Sequence, residues 1–495
     1  MSSPTTHKDI IIVGAGISGV NFAGRIQSLL PNHSYAILEA RDDVGGTWDL
    51  FKYPGIRSDS DLHTFGFPWR PWREQRAIAD GASIKKYIQE TVQESGISRN
   101  ILFRHKLVNA TWEDGNGQWM LDVQSDGAMV TMSCKFLILG TGYYDYDKPL
   151  EAEIPGLEKF QGTIVHPQFW PEDLDYSNQN IVVIGSGATA ITLIPNLAHQ
   201  AHHVTMLQRS PGYILSMSNS DSPLLERLLP EWMMFRFLRL KHLFSLFFLY
   251  HFCRLFPGLA KGMIRSTTTK KLPSHVPYDP HFLPKYNPWE QRLCISPDND
   301  FFDALSSGKA SISTGTIKTC TERSIVLQSG EVLDDVDIVV TATGLKIGFG
   351  GGTKIQINGE SLNFGDKLLW KGCMVQDVPN LCLVMGYTNA SWTLGADATA
   401  NLFCRLVREM QKSGEKMVRP RLDASEWERG MKETSVLNLN STYILKAVDH
   451  VPKAGDRGPW KVRSNYFKDC WNAQWGSLVD GLQYGLPVRG KDKAL

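Results

Sequence analysis

Two short runs of the chain hold the residue types that bind a dinucleotide. The first, KDIIIVGAGISG over 8–19, is apolar and ends in Gly14, Gly16 and Gly19, with Ser18 among them. Glycines at that spacing make a tight turn, let backbone approach a pyrophosphate, and leave a helix N-terminus facing the anion. About 20 residues further on, the run SYAILEA places Glu39 where a carboxylate accepts hydrogen bonds from ribose hydroxyls. The second run, NIVVIGSGATA over 180–190, sets Gly185, Gly187 and Ala190 in the same places, with Ser186, Ala188 and Thr189 between them. The run after it, HHVTMLQRS, ends in Arg209 and Ser210 instead of an acid. A carboxylate there would repel a 2′-phosphate, whereas a guanidinium grips one bidentately. The first turn therefore suits FAD and the second NADPH, and two such sites in one chain imply hydride transfer from nicotinamide to flavin.

Each turn needs a strand before it, a helix after it and a second strand carrying the selectivity residue. That requirement predicts an α/β fold with two Rossmann-like domains. Two further strands ending in Gly, KFLILGTG (135–142) and VDIVVTATG (336–344), bracket the second turn. They predict an NADP domain inserted into a discontinuous FAD domain: 1–148 and 336–495 for FAD, 149–335 for NADP. The stretch 324–335, SIVLQSGEVLDD, reads as a hairpin leading into the return strand. A chain of 495 residues is too long for a single core, in keeping with this division.

Composition narrows the ligand. Lys plus Arg number 52 against 51 Asp plus Glu, so no global field favours nucleic acid or an anionic surface, and a small molecule is expected. Eight Cys are scattered without a CxxC pair or metal-ligand spacing, which reads as reduced thiols, no zinc site and a cytoplasmic location. The polar N-terminus MSSPTTHKD runs into a strand without a secretory pattern. Residues 224–263 depart from this picture, being rich in Leu, Phe and Met with Arg or Lys every few positions. They are expected to form a helical insertion, within 214–282, packed on the protein; a membrane-surface helix pair is the alternative.

Disulfide reductases share the two-nucleotide plan, but their redox Cys pair follows the first acidic strand. Here that stretch is RDDVGGTWDLFKYPGIRSDSD, without Cys. Electrons must leave reduced flavin another way, most simply to dioxygen. The run FQGTIVHPQFWP resembles the fingerprint FxGxxxHxxxW[P/D] of type I Baeyer–Villiger monooxygenases, through Phe160, Gly162, His166, Trp170 and Pro171. A second signature of that family is matched by Gly45, Gly46, Trp48, Tyr53, Pro54, Gly55 and Asp59. The resemblance runs from Ile10 to about Tyr466, and blocks such as YNPWEQRLC and GYTNASWTL are similar to the ethionamide-activating branch of the family.

That resemblance implies NADPH- and O2-dependent oxidation of apolar ketones to esters or lactones through a C4a-peroxyflavin, with side activity on sulfides. It assigns Arg292 as the cation beside the peroxide and Asp59 as the partner that orients it. Thr47 and Trp48 would pack on the flavin edge, Ser18 and Leu107 would contact FAD, and Arg57 and Ser58 would contact NADPH. The fingerprint loop would couple the two domains, with His166 as a gate; as an isolated His, a packing role stays equally open. Gln291 stands where many relatives carry Lys, which leaves NADPH preference to Arg209 and weakens it. Trp460 is matched to a mobile-loop Trp that closes over nicotinamide. Oxygenation of heteroatoms, or electron transfer without oxygenation, are the competing readings.

Overall fold

A computed structural model describes residues 6–220, 230–437 and 442–485. The first five residues, 221–229 of the Leu/Phe-rich region, and the extreme C-terminus lie outside them. The apolar run before the first turn forms β1 (Thr6–Val13), the turn opens α1 (Ile17–Leu29), and β2 (Tyr35–Leu38) ends just before Glu39. Strand β1 lies between β2 and the strand Ala128–Leu139, parallel to both. Successive side chains of a strand point to opposite faces. Ile10 and Ile12 therefore enter the core shared with α1, while Ile11 and Val13 enter a separate core on the other face. An antiparallel meander of His105–Glu113, Gln118–Ser125 and Ala128–Leu139 extends this sheet.

The second turn is built the same way. Strand Asn180–Ile184 feeds helix Ala188–Ala198 and then strand His203–Gln208. They belong to a five-stranded parallel sheet whose outer strands are Ala310–Thr314 and Thr163–Val165. Alternation recurs, with Ile181 and Val183 on one face and Val182 and Ile184 on the other. The hairpin before the return strand forms, from Ile325–Leu327 and Val332–Leu333.

The return strand itself does not sit where the sequence placed it. Ile338–Thr341 pairs in parallel with Asn180–Ile184 and with Thr163–Val165, inside the second sheet. The chain rejoins the first sheet only with Lys354–Ile357, which pairs with His105–Glu113, and Leu381–Leu383, which pairs with Ala128–Leu139. The boundary expected at 335/336 thus falls between Thr341 and Lys354, because a strand ending in Gly fits either sheet by pattern alone. The first unit is closed by the long helix Trp392–Ser413, whose Asp397 holds Arg25 of α1 through two hydrogen bonds of 2.7 and 3.0 Å.

The expected helical insertion begins with a strand, Ile214–Met217, and then, beyond the undescribed stretch, forms helices Glu231–Leu255 and Pro257–Thr269. The first of these crosses to the other unit, where Arg239 donates to the carbonyls of His63 and Gly66 at 2.8 and 3.0 Å.

Candidate active site

A cleft of about 730 Å³ runs along the junction of the two units, and its lining joins residues of both. The first turn forms one end. Gly14 has a φ of +99°, and a Cβ there would lie 2.8 Å from the Gly140 oxygen. A Cβ on Gly19 would meet the Gly14 oxygen at 1.9 Å, so α1 can sit this close to the turn only with glycine. The helix N-terminus has no side-chain cap, which leaves its amides to an anionic ligand. Glu39 is buried in the cleft wall; one carboxylate oxygen accepts from the Ala15 amide at 2.7 Å and the other from the Arg41 amide at 3.1 Å. Those bonds fix its orientation and leave lone pairs for a diol.

Thr47, Trp48 and Leu107 line the same cleft. The Thr47 hydroxyl lies 3.1 Å from that of Tyr146, and Trp48 packs edge-on against Phe65. Ser18 also lines it, with its hydroxyl accepting a 2.8 Å hydrogen bond from Nε1 of Trp392, a residue 374 positions away. The Trp392 ring stacks on Tyr143 at 4.9 Å.

The second signature turns out to be a docking element. Gly55, at φ +74°, runs so close to helix Ala188–Ala198 that a Cβ would meet the Asn196 side chain at 2.0 Å. Tyr53 packs against the core of the second unit, and burial pushes its hydroxyl up to about 12. This seating brings Asp59 to Arg292: Nη1 donates to Oδ2 at 3.2 Å across 233 positions of sequence. Both side chains stay about two-fifths exposed, at 41% and 36%, and both line the cleft, so the pair is open to a ligand.

Arg57 also lines the cleft and is paired with Asp300, while its Nη2 is buried without a hydrogen-bond partner. Ser58 lines the cleft beside Arg57. Its hydroxyl is engaged within its own turn, donating to the Ser60 carbonyl at 2.6 Å and accepting from the Ser60 amide at 3.0 Å.

In the second turn, Gly185 at φ +147° would place a Cβ 2.2 Å from the Ala342 oxygen, whereas a Cβ on Gly187 would meet nothing within 4 Å. Ala188 and Thr189 reach the cleft; Gly185, Ser186, Gly187, Arg209 and Ser210 are outside its lining, and Ala190 is buried in the core. Ser186 donates to the Ser210 carbonyl at 3.1 Å, which ties the turn to the end of the strand carrying Arg209. Arg209 and Ser210 are exposed at that edge.

Of the fingerprint, Phe160 and Trp170 are buried and Pro171 is exposed. A Cβ on Gly162 would meet the Asp337 oxygen at 2.3 Å, so only glycine lets this strand edge close. Nδ1 of His166 accepts from the Gln168 amide at 3.2 Å, and burial holds its pKa below the usual value. Gln168 occupies an unspecified position of the fingerprint. It is buried against the cleft, donates to the Asp145 carbonyl at 2.7 Å, and keeps its Oε1 without a partner. Trp460 is buried in the core of the first unit and takes no part in the cleft lining, contrary to the mobile role expected. The Lys371 amide bonds the Pro459 carbonyl at 2.6 Å and pins that turn down. All eight Cys are free thiols.

Residues 7–351 match the flavin-binding monooxygenase-like family. The chain belongs to that family. This flavin-binding monooxygenase is 44% identical over 484 residues to the FAD-containing monooxygenase EthA of Mycobacterium tuberculosis, covering 97% of this chain and 98% of the relative. Its fold is shared with a steroid monooxygenase solved with NADP (TM-score 0.74, 20% identity, 97% of this chain and 100% of that one). A closed form of cyclohexanone monooxygenase also matches (TM-score 0.68, 18% identity, 86% and 89%). Both confirm an α/β architecture of two dinucleotide-binding units for the monooxygenase.

Proposed function

We propose that this monooxygenase carries FAD in the first turn, takes NADPH at the second, and converts ketones to esters or lactones, with sulfides as secondary substrates. The balanced reaction is ketone, O2, NADPH and a proton to ester, NADP⁺ and water. FAD held there would supply the redox chemistry that links nicotinamide to O2. The observation that carries the reading is the Arg292–Asp59 pair at the junction of the two units.

The protein's own residues then have definite tasks. Gly14, Gly16 and the α1 N-terminus take the FAD pyrophosphate, Glu39 the ribose, and Thr47 and Trp48 border the isoalloxazine. Arg209 meets the 2′-phosphate of NADPH, while Arg57, held by Asp300, borders the cleft beside the same nucleotide. Arg292 keeps its charge at every working pH and faces the carbonyl oxygen where negative charge develops on attack. Asp59 holds that guanidinium in place, its Oδ2 accepting from Nη1 at 3.2 Å. Gln168 and His166 lie between the units and keep the junction closed to water.

The test is oxygen-18 incorporation. Wild-type protein supplied with NADPH, labelled O2 and a cyclic ketone is expected to give a lactone with one labelled oxygen. Arg292→Ala is expected to bleach normally with NADPH and form no lactone. In a parallel reaction with a thioether, sulfoxide formed while the ketone gives no lactone would transfer the assignment to heteroatom oxygenation, and peroxide as the sole product with either substrate would leave a reductase.

A further inference from the structure

The region that the sequence separates from both nucleotide units has two faces. On helix Glu231–Leu255, Phe235, Leu238, Leu243 and Cys253 are buried against the protein. The other face carries Phe237, Leu240, Phe244 and Phe248, all exposed, with Phe248 at 65%. At Phe256 the chain bends by 114° into Pro257–Thr269, and the corner presents Leu255 at 70% and Leu259 at 64%. The stripe does not stop there. Phe244 stacks on Phe467 at 5.4 Å, and Phe467 opens a face of helix Tyr466–Trp475 that continues through the exposed Trp471 and Trp475. Three helices, two of them consecutive and the third from the last part of the chain, thus share one apolar surface.

Along the two helices of the insertion the charge is one-sided, whereas helix Tyr466–Trp475 carries one Lys and one Asp. From Trp232 to Tyr278 the chain has eight Lys and Arg and no Asp or Glu, in a protein whose totals are 52 and 51. Arg254, Arg265 and Lys270 are exposed beside the apolar corner, and Lys261 is half-buried there. We propose that this surface docks the monooxygenase onto an anionic lipid bilayer, with the corner and the aromatic face of Tyr466–Trp475 seated at the headgroup boundary. Apolar side chains ringed by Lys and Arg bind interfaces of this kind through buried area plus attraction to anionic lipid. Trp is favoured at that depth because its ring is amphipathic. A second copy is a poorer occupant: an isologous contact would set the same cations against one another. Among the described residues no single helix is long and apolar enough to cross a membrane; the two helices of this region reach that length only together, and the 114° bend between them, with one face of the first packed on the protein, suits a contact along the bilayer surface.

The proposal stands apart from the assignment of the reaction, since its readout is binding. Purified flavin-loaded protein is mixed with phosphatidylcholine vesicles with or without phosphatidylglycerol and sedimented. Expected is pelleting with phosphatidylglycerol vesicles, weak pelleting with phosphatidylcholine alone, and a several-fold loss in high salt. Leu259→Asp and, separately, Phe248→Asp are expected to lower vesicle affinity about tenfold or more while flavin content and melting temperature match wild type. A charge-reversed Lys270→Glu provides a variant that leaves the apolar face intact, and it should lose affinity for anionic vesicles only. No pelleting with phosphatidylglycerol vesicles overturns the proposal, as does pelleting that all three variants retain. A wild-type dimer that Leu259→Asp converts to monomer, without vesicle binding, assigns the surface to a second copy instead.

Discussion

The two nucleotide turns are built on one plan and finished differently. In the first, Gly140 closes over Gly14, Glu39 is buried and doubly hydrogen-bonded, and Trp392 reaches across from the far end of the chain to bind Ser18. In the second, a Cβ on Gly187 would meet nothing within 4 Å, and Arg209 and Ser210 stand exposed just past the end of a strand. Enclosure on every side suits a ligand that stays, and an open edge suits one that enters and leaves each cycle. The same fingerprint of glycines thus specifies a turn, while the residues packed around it set the residence time.

The comparison breaks most readily at the glycines. Gly19→Ala forces a Cβ into the Gly14 carbonyl, and the expected loss exceeds roughly 3 kcal/mol, read as protein that purifies without flavin. Gly187→Ala, with open space around it, should keep flavin and stay within about 1 kcal/mol of wild type in melting. Equal damage from both would erase the distinction. Next comes Arg209→Ala, which removes a charge-assisted contact of ~1.5–3 kcal/mol; kcat/KM for NADPH should fall about 10- to 100-fold while that for NADH stays put. A parallel fall with NADH would show that Arg209 acts on the fold of the edge and not on the 2′-phosphate.

Smaller effects sharpen the contrast. Trp392→Phe keeps the ring that stacks on Tyr143 and deletes the hydrogen bond to Ser18, worth about 0.5–1.5 kcal/mol; flavin should dissociate a few-fold faster, with NADPH affinity unchanged. Acid should loosen the second unit first. Burial lowers the pKa of His166, His203 and His281, against opposing hydrogen bonds donated to the Gly344 and Gly308 backbone by the first two and nearby Glu331 and Asp279 for the third. Below about pH 6.5 the unfolded chain protonates these imidazoles while the folded protein resists, so stability present above that pH is lost as pH falls. Hydrogen exchange should then quicken at His203–Gln208, whose His203 bonds Ser311 at 2.8 Å, before it does at Thr6–Val13. Simultaneous loss in both strands would rule this out.

What the sequence could show was local. Glycine spacing, Glu39 and Arg209 follow from the distance between a turn and the next strand, which the chain itself sets. Pattern alone could not assign Ile338–Thr341 to a sheet, because both sheets offer an apolar parallel slot. Arg292 and Asp59 were found only through resemblance, since 233 residues separate them and the fold alone makes them neighbours. Gln168 escaped because a buried amide carries no signature, and Trp460 was misplaced because a short match says nothing about burial. The apolar stripe was visible as composition, but which half of it faced outward depended on what the other half packed against.

The split of the first sheet also sets an order of events during synthesis. Strand β1 and its neighbour Ala128–Leu139 are made early, yet the parallel partner Leu381–Leu383 and the covering helix Trp392–Ser413 follow more than 240 residues later. At ~5–20 residues per second, the ribosome needs roughly 10–50 s to supply them. Meanwhile all strands of the second sheet have been delivered by Thr341, so that unit can close first. The half-built sheet must wait with Ile138 and Leu139 uncovered, and the flavin pocket is completed only as the last quarter of the chain emerges.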